Sequence, residues 1–512
     1  MKHLIILLAL VTSNIQAQVE SKQDYVWLFG QGVSATTGQQ RGFKIDFNEQ
    51  PFQFEPQEIE LYMRSMNSSI CDSEGNLLFY TNGCEIHNSD FELMENGDSL
   101  NFDQQFWELA NLNCRKGYPG SQDVLIIPSM ASDDQFYVFH KPRIVVEIND
   151  PQAIPILYSV VDMSENNGRG KVVTKNEVVY DDRDCLSYYL TGINHANQQD
   201  FWLIQPLVED SIFVTYLIDS DGIHRQPDQN THQYFNYFRS SASGTAKFSP
   251  DGTQYALYNY FDQLHLYDFD RETGILSNHQ KINIFPDPDV NDIIFSSVEW
   301  SSNSRFIYTA TKRELHQIDT WETDIEEDGI RLIDTYNGTQ DPFSTTFFLM
   351  AQAPDCKIYM CATNGSNSYH VINSPDQLGT DCDFVQNGIQ LPHTAGGGSM
   401  PNFPRFRVDE EEKCDPTIVS VFGDAVFYRR DLVVYPSPST GLFTIDLPEG
   451  FSSGRLVVTN LQAQILRDEP IDRLSFEGEV QLYDLPVGIY NIEIYPSENA
   501  ERIFYSKQVV KL

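Results

Sequence analysis

The chain has 512 residues and a formal net charge of −39. That length exceeds what one small hydrophobic core holds, so we expect a large repeat domain with an accessory domain. The acidic balance repels nucleic acid phosphates and anionic membrane surfaces, which argues against both as partners. The densest acidic runs, Glu326–Asp328 and Asp409–Glu412, fit a solvated surface, and an acidic face for divalent cations or basic partners is the alternative.

The first residues are typical of a secretory signal. Lys2 and His3 precede the apolar run Leu4–Val11, and a small residue, Ala17, stands at the expected cleavage point. The run is too short to span a bilayer, so we predict a cleaved signal peptide over residues 1–17. No later stretch is long and apolar enough to cross a membrane, and we expect an exported protein without a transmembrane span.

Export implies an oxidising compartment, in which the eight cysteines can form disulfides. The sequence does not choose among the pairings. Only Cys356 with Cys361 is argued against, because the two lie on one predicted strand and point to opposite faces. A zinc site is not predicted, because the sequence has no Cys-x-x-Cys motif and no cysteine pair followed by spaced histidines.

From Val26 the chain alternates short apolar or aromatic runs with turn residues. The clearest unit is Ser249-Pro-Asp-Gly252, a turn sequence followed at once by the strand signal Tyr255–Tyr260. The unit returns as Trp300–Ser304 and as Ala353–Cys356, and the fourth turn residues at 252, 304 and 356 are 52 residues apart. A fixed period of this size with short strands is typical of propeller blades.

Turn-plus-strand units lie near residues 75, 134, 199, 252, 304 and 356, and the stretch between 140 and 192 leaves room for another. No convincing amphipathic helix interrupts them. We therefore predict an all-β fold with a β-propeller over residues 25–408, in which seven blades are favoured over six or eight.

The composition changes after Pro401-Asn-Phe-Pro404. Residues 409–431 are charged at their start and are predicted to link the propeller to a second domain over 432–512. That domain contains alternating strand signals at 443–447, 455–459, 480–482, 489–494 and 502–505. Five short strands in a segment of this length predict a small Ig-like β-sandwich.

Four ordered motifs occur in residues 432–512: Tyr435-Pro-Ser-Pro-Ser-Thr-Gly441, Leu456–Gln462, Leu485-Pro-Val-Gly-Ile-Tyr490 and Lys507–Leu512. With these motifs the segment resembles the C-terminal sorting domain of proteins exported by the type IX secretion system of Bacteroidota-type bacteria. Ser437 replaces the family's asparagine, which is a conservative change in a turn. The resemblance implies a sorting signal that includes Tyr435, Pro436, Pro438, Gly441, Leu485, Pro486, Gly488, Tyr490 and Lys511.

The same resemblance implies a route and a partner. The signal peptide takes the chain to the periplasm, and the type IX machinery then carries it across the outer membrane. The expected location is the extracellular side of that membrane, either on the cell surface or released.

The segment 25–408 resembles the large, mostly uncharacterised propeller region that often precedes such sorting domains. The resemblance rests on Gly75–Gly83, Met94–Gly97, Tyr158–Met163 and Pro401–Pro404. It implies the fold and carries no agreed activity. The Ser-Pro-Asp-Gly turns are also similar to those of WD-type propellers, although the Gly-His and Trp-Asp signatures are missing.

Sequence motifs of catalysis are not found. Gly-x-Ser-x-Gly, His-Glu-x-x-His and a P-loop do not occur, and Gly396–Gly398 lacks the lysine that would make it a phosphate cradle. We therefore predict no catalytic, cofactor-binding or metal-binding residues and no cofactor. The acid groups Asp287–Asp292 and Asp181–Asp184 could hold calcium, but exposed turn acids are the preferred interpretation.

The aromatic cluster Tyr234–Phe238 allows two interpretations. Its rings are either buried between neighbouring blades or partly exposed at a rim, where they could stack on sugars or anchor a protein. The leading hypothesis is a non-enzymatic exported propeller that binds a glycan or a protein. The alternative is a secreted propeller hydrolase or lyase acting on polysaccharide, with polar groups in the central funnel.

Overall fold

The computed structural model divides the chain into two compact units, residues 1–411 and 412–512. It describes residues 21–30, 42–49, 52–101, 114, 117, 120–142, 155–182, 185, 188–207, 211–231, 244–285, 295–408, 420–422, 425–447, 451–460, 465–476, 478–483, 485–496 and 503–512. The described residues are dominated by β-strands, and their only helical segments are single turns at Asn166–Gly168, Ile325–Gly329 and Gly379–Cys382. The prediction of an all-β fold is confirmed.

The described part of the first unit forms seven small antiparallel sheets. The first sheet contains β1 (Val26–Phe29), β2 (Gly42–Asp46) and β3 (Phe54–Gln57). The second contains β4 (Ser68–Cys71), β5 (Leu77–Thr81) and β6 (Ile86–Asn88). The third contains β7 (Val124–Pro128), β8 (Gln135–His140), β9 (Ile156–Asp162) and β10 (Lys171–Tyr180). The fourth sheet contains β11 (Thr191–Asn194), β12 (Phe201–Pro206), β13 (Ile212–Asp219), β14 (Gly222–Arg225) and β15 (Gln229–Asn230). The fifth contains β16 (Thr245–Phe248), β17 (Gln254–Asn259), β18 (Gln263–Asp270) and β19 (Ile275–Ile282). The sixth sheet contains β20 (Ser297–Trp300), β21 (Phe306–Ala310), β22 (Glu314–Asp319) and β23 (Ile330–Thr335). The seventh contains β24 (Phe347–Gln352), β25 (Ile358–Ala362), β26 (Ser366–Ile372) and β27 (Phe384–Ala395).

Burial shows how each sheet is oriented. The first strands are buried on both faces, as in β1, β4 and β20, whereas most residues of the last strands β19 and β23 are partly or fully exposed. First strands of successive sheets also lie side by side: β4 lies beside β1 and β7, and β20 beside β16 and β24. Sheets arranged around a common centre in this way form a β-propeller.

The hydrophobic cores lie between neighbouring sheets. Trp300 packs in a cluster that joins the fifth and sixth sheets, and Tyr308 in one that joins the sixth and seventh. A further cluster joins the first sheet to the seventh, because Trp27 lies edge-on to Tyr359 with ring centroids 6.1 Å apart. Each inner strand therefore needs apolar residues on both of its faces, which is why these strands lack a simple alternating pattern.

The turns that define the repeat have one geometry. Gly252, Ser304 and Cys356 all adopt positive φ, at 70°, 59° and 67°. Each donates its backbone N–H to the carbonyl three residues earlier, as Gly252 does to Ser249 at 2.9 Å. The predicted period of 52 residues therefore corresponds to three successive sheets.

The described part of the second unit contains two sheets. One has six strands in the order β28 (Ser420–Phe422), β29 (Ala425–Asp431), β36 (Ile503–Lys511), β35 (Gly488–Pro496), β32 (Ser453–Asn460) and β33 (Ile465–Asp472). The other joins β30 (Val433–Tyr435), β31 (Leu442–Asp446) and β34 (Glu479–Gln481). The two sheets share one hydrophobic core, which includes Phe443, Val458 and Ile492. Residues 409–431, predicted as a linker, include β28 and β29.

Three disulfide-bonded cysteines lie in the described residues of the first unit. Cys84 bonds to Cys114, and Cys356 is also disulfide-bonded. Cys361 keeps a buried free thiol, so it does not pair with Cys356, as the strand alternation predicted. Among the residues that the structure describes, no helix has the length and apolar character needed to cross a membrane.

Candidate functional site

The motif residues of the second unit meet at one end of its larger sheet. Strand β35 begins at Gly488, which pairs with Lys511 in the last strand, and Tyr490 pairs with Val509. Ser439 of the first motif lies on the other side of the last strand, where its N–H donates to the Val510 carbonyl at 2.9 Å. Segments that are far apart in the sequence therefore border the same two strand ends.

Buried side chains fix this arrangement. The Lys511 side chain is buried, and its Nζ donates to the Leu485 carbonyl. Tyr490 is also buried and donates its hydroxyl to the Pro486 carbonyl at 2.7 Å. A buried ammonium needs such an acceptor to offset the loss of water. These two bonds hold the loop that starts at Leu485 against the end of the last strand.

Gly441 explains the glycine in the first motif. Its φ is +123°, and a Cβ atom there would lie 2.9 Å from the Tyr483 ring and 3.2 Å from Lys511 Cε. Only glycine adopts this backbone without strain while the two side chains stay in place. The preceding prolines, Pro436 and Pro438, are exposed, as is Tyr435, which pairs with Thr444 in the smaller sheet.

Residues 433–511 match the family model of the secretion system C-terminal sorting domain. The second unit carries a type IX sorting domain. Such a domain implies passage through the type IX secretion machinery to the cell surface or the extracellular space. The structure brings Gly441, Leu485 to Tyr490 and Lys511 of the sorting domain together at one end, while Tyr435 lies on the strand that leads there.

Comparison with curated proteins gives no match. Solved structures similar to this chain include a protein from Lactobacillus plantarum (12% identity, 72% of this chain and 98% of that chain, TM-score 0.42). They also include the β-propeller domain of Cps50 (Swd1) from Myceliophteria thermophila (10% identity, 67% and 94%, TM-score 0.37). A third is Sqt1 from Saccharomyces cerevisiae (11% identity, 75% and 85%, TM-score 0.37).

In the first unit, residues 399–408, which we call the channel segment, run between the inner strands. Asn402 is buried and acts as a hub, because its Nδ2 donates to the carbonyls of Val124 at 3.0 Å and Leu190 at 3.2 Å. Its own N–H donates to the Asn67 carbonyl, and its carbonyl accepts from the Ser68 hydroxyl at 2.8 Å. One residue thus contacts the second, third and fourth sheets.

Arg405 does the same for the fifth, sixth and seventh sheets. Its guanidinium donates to Glu299 at 3.2 Å, to Gln352 at 2.8 Å and to the Phe248 carbonyl at 3.0 Å. Lys247 also approaches Glu299, at 3.5 Å. The Glu299 side chain is only 2% exposed, so the two cations balance a carboxylate that has lost its water.

Burial also affects the cations. It lowers the pKa of Lys247 and that of Arg405, and the Glu299 carboxylate opposes part of both shifts. A pocket of about 30 Å³ lies beside this cluster. In the described part of the chain, the channel segment therefore bridges inner strands across the centre of the propeller.

A larger cleft of about 690 Å³ opens beside Phe406 and Val408, at one end of the channel segment. Turns of the second, third and fourth sheets form its walls. They present carboxylates, carboxamides and hydroxyls, and the described residues that line the cleft include no lysine, arginine or histidine. Asp200, Asp219 and Asp221 supply the carboxylates.

Several predicted features can now be located. Asp287–Asp292 and Tyr234–Phe238 lie outside the described residues, as do Arg183 and Asp184. Asp182 forms an ion pair with Arg225 at 2.7 Å. Nowhere in the described parts of the chain do three or more His, Cys, Asp or Glu side chains gather closely enough to hold a metal ion.

The channel segment was not predicted from the sequence. Its one signal was Pro401-Asn-Phe-Pro404, which served as a point of composition change and as part of a family resemblance. Prolines on both sides of Asn402 keep the segment extended and out of any sheet ladder, so that its amide can reach several strands. An extended, proline-flanked polar residue after the last repeat was the feature that could have indicated this role.

Proposed function

We propose that the chain is an exported seven-bladed propeller that binds a glycan or a protein outside the cell without chemical turnover. A cleaved signal peptide takes it to the periplasm, and the sorting domain, an Ig-like sandwich, takes it across the outer membrane. The observation that carries the export part is the match of residues 433–511 to the sorting family. Seven sheets with a core between the first and the last support the blade number.

Binding is favoured over catalysis because of the channel segment. A propeller hydrolase or lyase would use polar groups in the central funnel to act on its substrate. In this chain Glu299 forms ion pairs with Lys247 and Arg405 at the centre, so these charged groups are occupied by one another. The cleft beside Phe406 offers hydrogen-bond acceptors and apolar surface instead. Neutral, hydroxyl-rich ligands fit such a lining, and anionic ligands do not.

One observation keeps the alternative function open to test. Asp200, Asp219 and Asp221 line the same cleft, and pairs of carboxylates cleave glycosidic bonds in hydrolases. A secreted polysaccharide hydrolase or lyase is therefore the second candidate.

Deletion of residues 432–512 tests the export proposal. In a bacterium with an intact type IX system, the shortened chain is expected to accumulate in the periplasm, with little in the medium or on the surface. A chain that keeps the sorting domain but lacks residues 1–17 is the control, and it should stay in the cytoplasm. Unchanged surface and medium levels of the shortened chain would refute the proposal.

A glycan array tests the binding proposal. The full-length chain should retain one class of neutral oligosaccharide, and Asp200→Ala together with Asp221→Ala should weaken that binding roughly tenfold or more, since polar contacts in a ligand site fix its specificity. Asp381→Ala is the matched control, because Asp381 is an exposed acid that does not line the cleft. Release of shorter sugars from a retained glycan would instead establish the hydrolase or lyase.

A further inference from the structure

Exposed apolar side chains collect at the end of the sorting domain where its motifs meet. Val487 is 74% exposed, Leu512 62% and Tyr483 58%. Pro438 and Pro486 are exposed beside them. We call these five residues the end face.

Strand register brings the end face together. Gly488 pairs with Lys511 in an antiparallel ladder, so the next positions, Val487 and Leu512, are neighbours. The Leu512 N–H donates to the Ser439 carbonyl at 2.8 Å, which places the residue after Pro438 beside Leu512. Tyr483 reaches the same area, because its ring and Lys511 Cε both lie within 3.2 Å of the point where a Gly441 Cβ would be.

The residues at this end of the sorting domain thus fall into two groups. Gly441, Tyr490 and Lys511 are buried, and their close contacts hold the loops. The side chains of the end face point outward and add nothing to the core between the two sheets, which is built from other residues. Contiguous exposed apolar surface disfavours solubility and marks a place where another surface binds.

The opposite end of the same sheet offers an internal comparison. Leu474 is 98% exposed there, next to Asp472, which pairs with Ser453 at the start of β32. The end of β32 pairs with Tyr490, so Leu474 and the end face lie at opposite ends of the ladder. Leu474 is a single apolar residue, and single exposed leucines are ordinary.

We propose that the end face is the surface by which this sorting domain docks on a protein of the type IX export machinery, through an apolar patch on that partner. The inference rests on the proposed export function and names the surface that carries it. The partner is inferred from the family match over residues 433–511, which contain four of the five end-face residues. Val487 and Tyr483 are its central contacts.

The test uses the full-length chain in a bacterium with an intact type IX system. Val487→Asp and Tyr483→Asp are each expected to lower the amount on the surface and in the medium by roughly tenfold or more, with the chain retained in the periplasm, because a buried interface anchor is replaced by a charge. Leu474→Asp, the matched control, should be exported like the wild type. Both end-face variants should keep the thermal midpoint of the sorting domain, since their side chains are exposed.

Three outcomes would overturn the inference. One is wild-type export of Val487→Asp and Tyr483→Asp, and another is equal retention of Leu474→Asp. The third is a folding defect that by itself explains the retention. The uncharged variant Val487→Ser separates this case, because the inference expects it to keep the fold and still lose export. The deletion of 432–512 separates the two proposals: if the deletion blocks export while the end-face variants pass, only the end face is refuted.

Discussion

Arg405 carries a guanidinium into the centre of the propeller, where groups from three sheets satisfy it. Glu299, Gln352 and the Phe248 carbonyl accept its hydrogen bonds, and its own N–H donates to the Gly192 carbonyl at 2.8 Å. Because Glu299 is almost fully buried, the cations beside it offset the water that its carboxylate has lost. The residue therefore links the fourth to the seventh sheets through one side chain and one backbone amide.

Replacing Arg405 by methionine should destabilise the protein by about 3–5 kcal/mol, because it leaves a buried carboxylate with Lys247 as its remaining cation. Chemical denaturation of the full chain measures this. Arg225→Met is the matched control: Arg225 bonds Asp182 at 2.7 Å, yet its side chain is 40% exposed. The control should cost at most about 1 kcal/mol. Equal losses in the two variants would contradict the role assigned to Arg405.

The sequence could not predict these central contacts. Asn402 bonds residues that precede it by 334 and 278 positions, and no local pattern encodes such distances. The motif residues of the sorting domain were predictable because each motif is a local turn or strand with its own signature. Even there, the bond from Lys511 to the Leu485 carbonyl needed the structure, because it depends on how two strands pair.

At the scale of elements, the turn after each first strand was the most predictable feature. Gly252 has a φ of +70°, and Ser304 and Cys356 adopt the same region although they are not glycines. The turn geometry persists while the residue type changes, so the repeat was visible as a spacing of turns. The early sheets follow less regular intervals, because loops lengthen them, and their strand bounds were correspondingly harder to place.

Gly252→Ala should destabilise the protein by about 1–3 kcal/mol. An L-residue at this φ costs about 1–2 kcal/mol, and the new Cβ would lie 2.9 Å from Val408 Cγ1 and 2.4 Å from Arg271 Cδ. Gly338→Ala isolates the backbone contribution, since Gly338 has a φ of +86° and nothing within 4 Å of the added atom. Chemical denaturation should show the larger loss at position 252; equal losses would mean that the contacts with the channel segment do not matter.

At the scale of the whole molecule, buried histidines couple stability to pH. Burial lowers the pKa of His140 to about 3 and that of His316 and His370 to about 4, from an ordinary value of 6.5. His140 is fully buried between Asn101 and Ser159, and His370 bonds the Thr345 carbonyl. Each ring is therefore held neutral in the folded protein and becomes protonated readily only after unfolding.

The sign of the pH dependence follows from those shifts. Below pH 6.5 the unfolded chain binds protons that the folded chain refuses, so the free energy of unfolding falls as the pH drops from 6.5 towards 3. The thermal midpoint of the full chain should therefore decrease by several degrees between pH 6.5 and 4. His370→Gln removes one such group, and its midpoint should fall less steeply over that range than that of the wild type. His224→Gln, at an exposed position, should leave the slope unchanged. A wild-type slope in the His370 variant would show that another group controls the acid response.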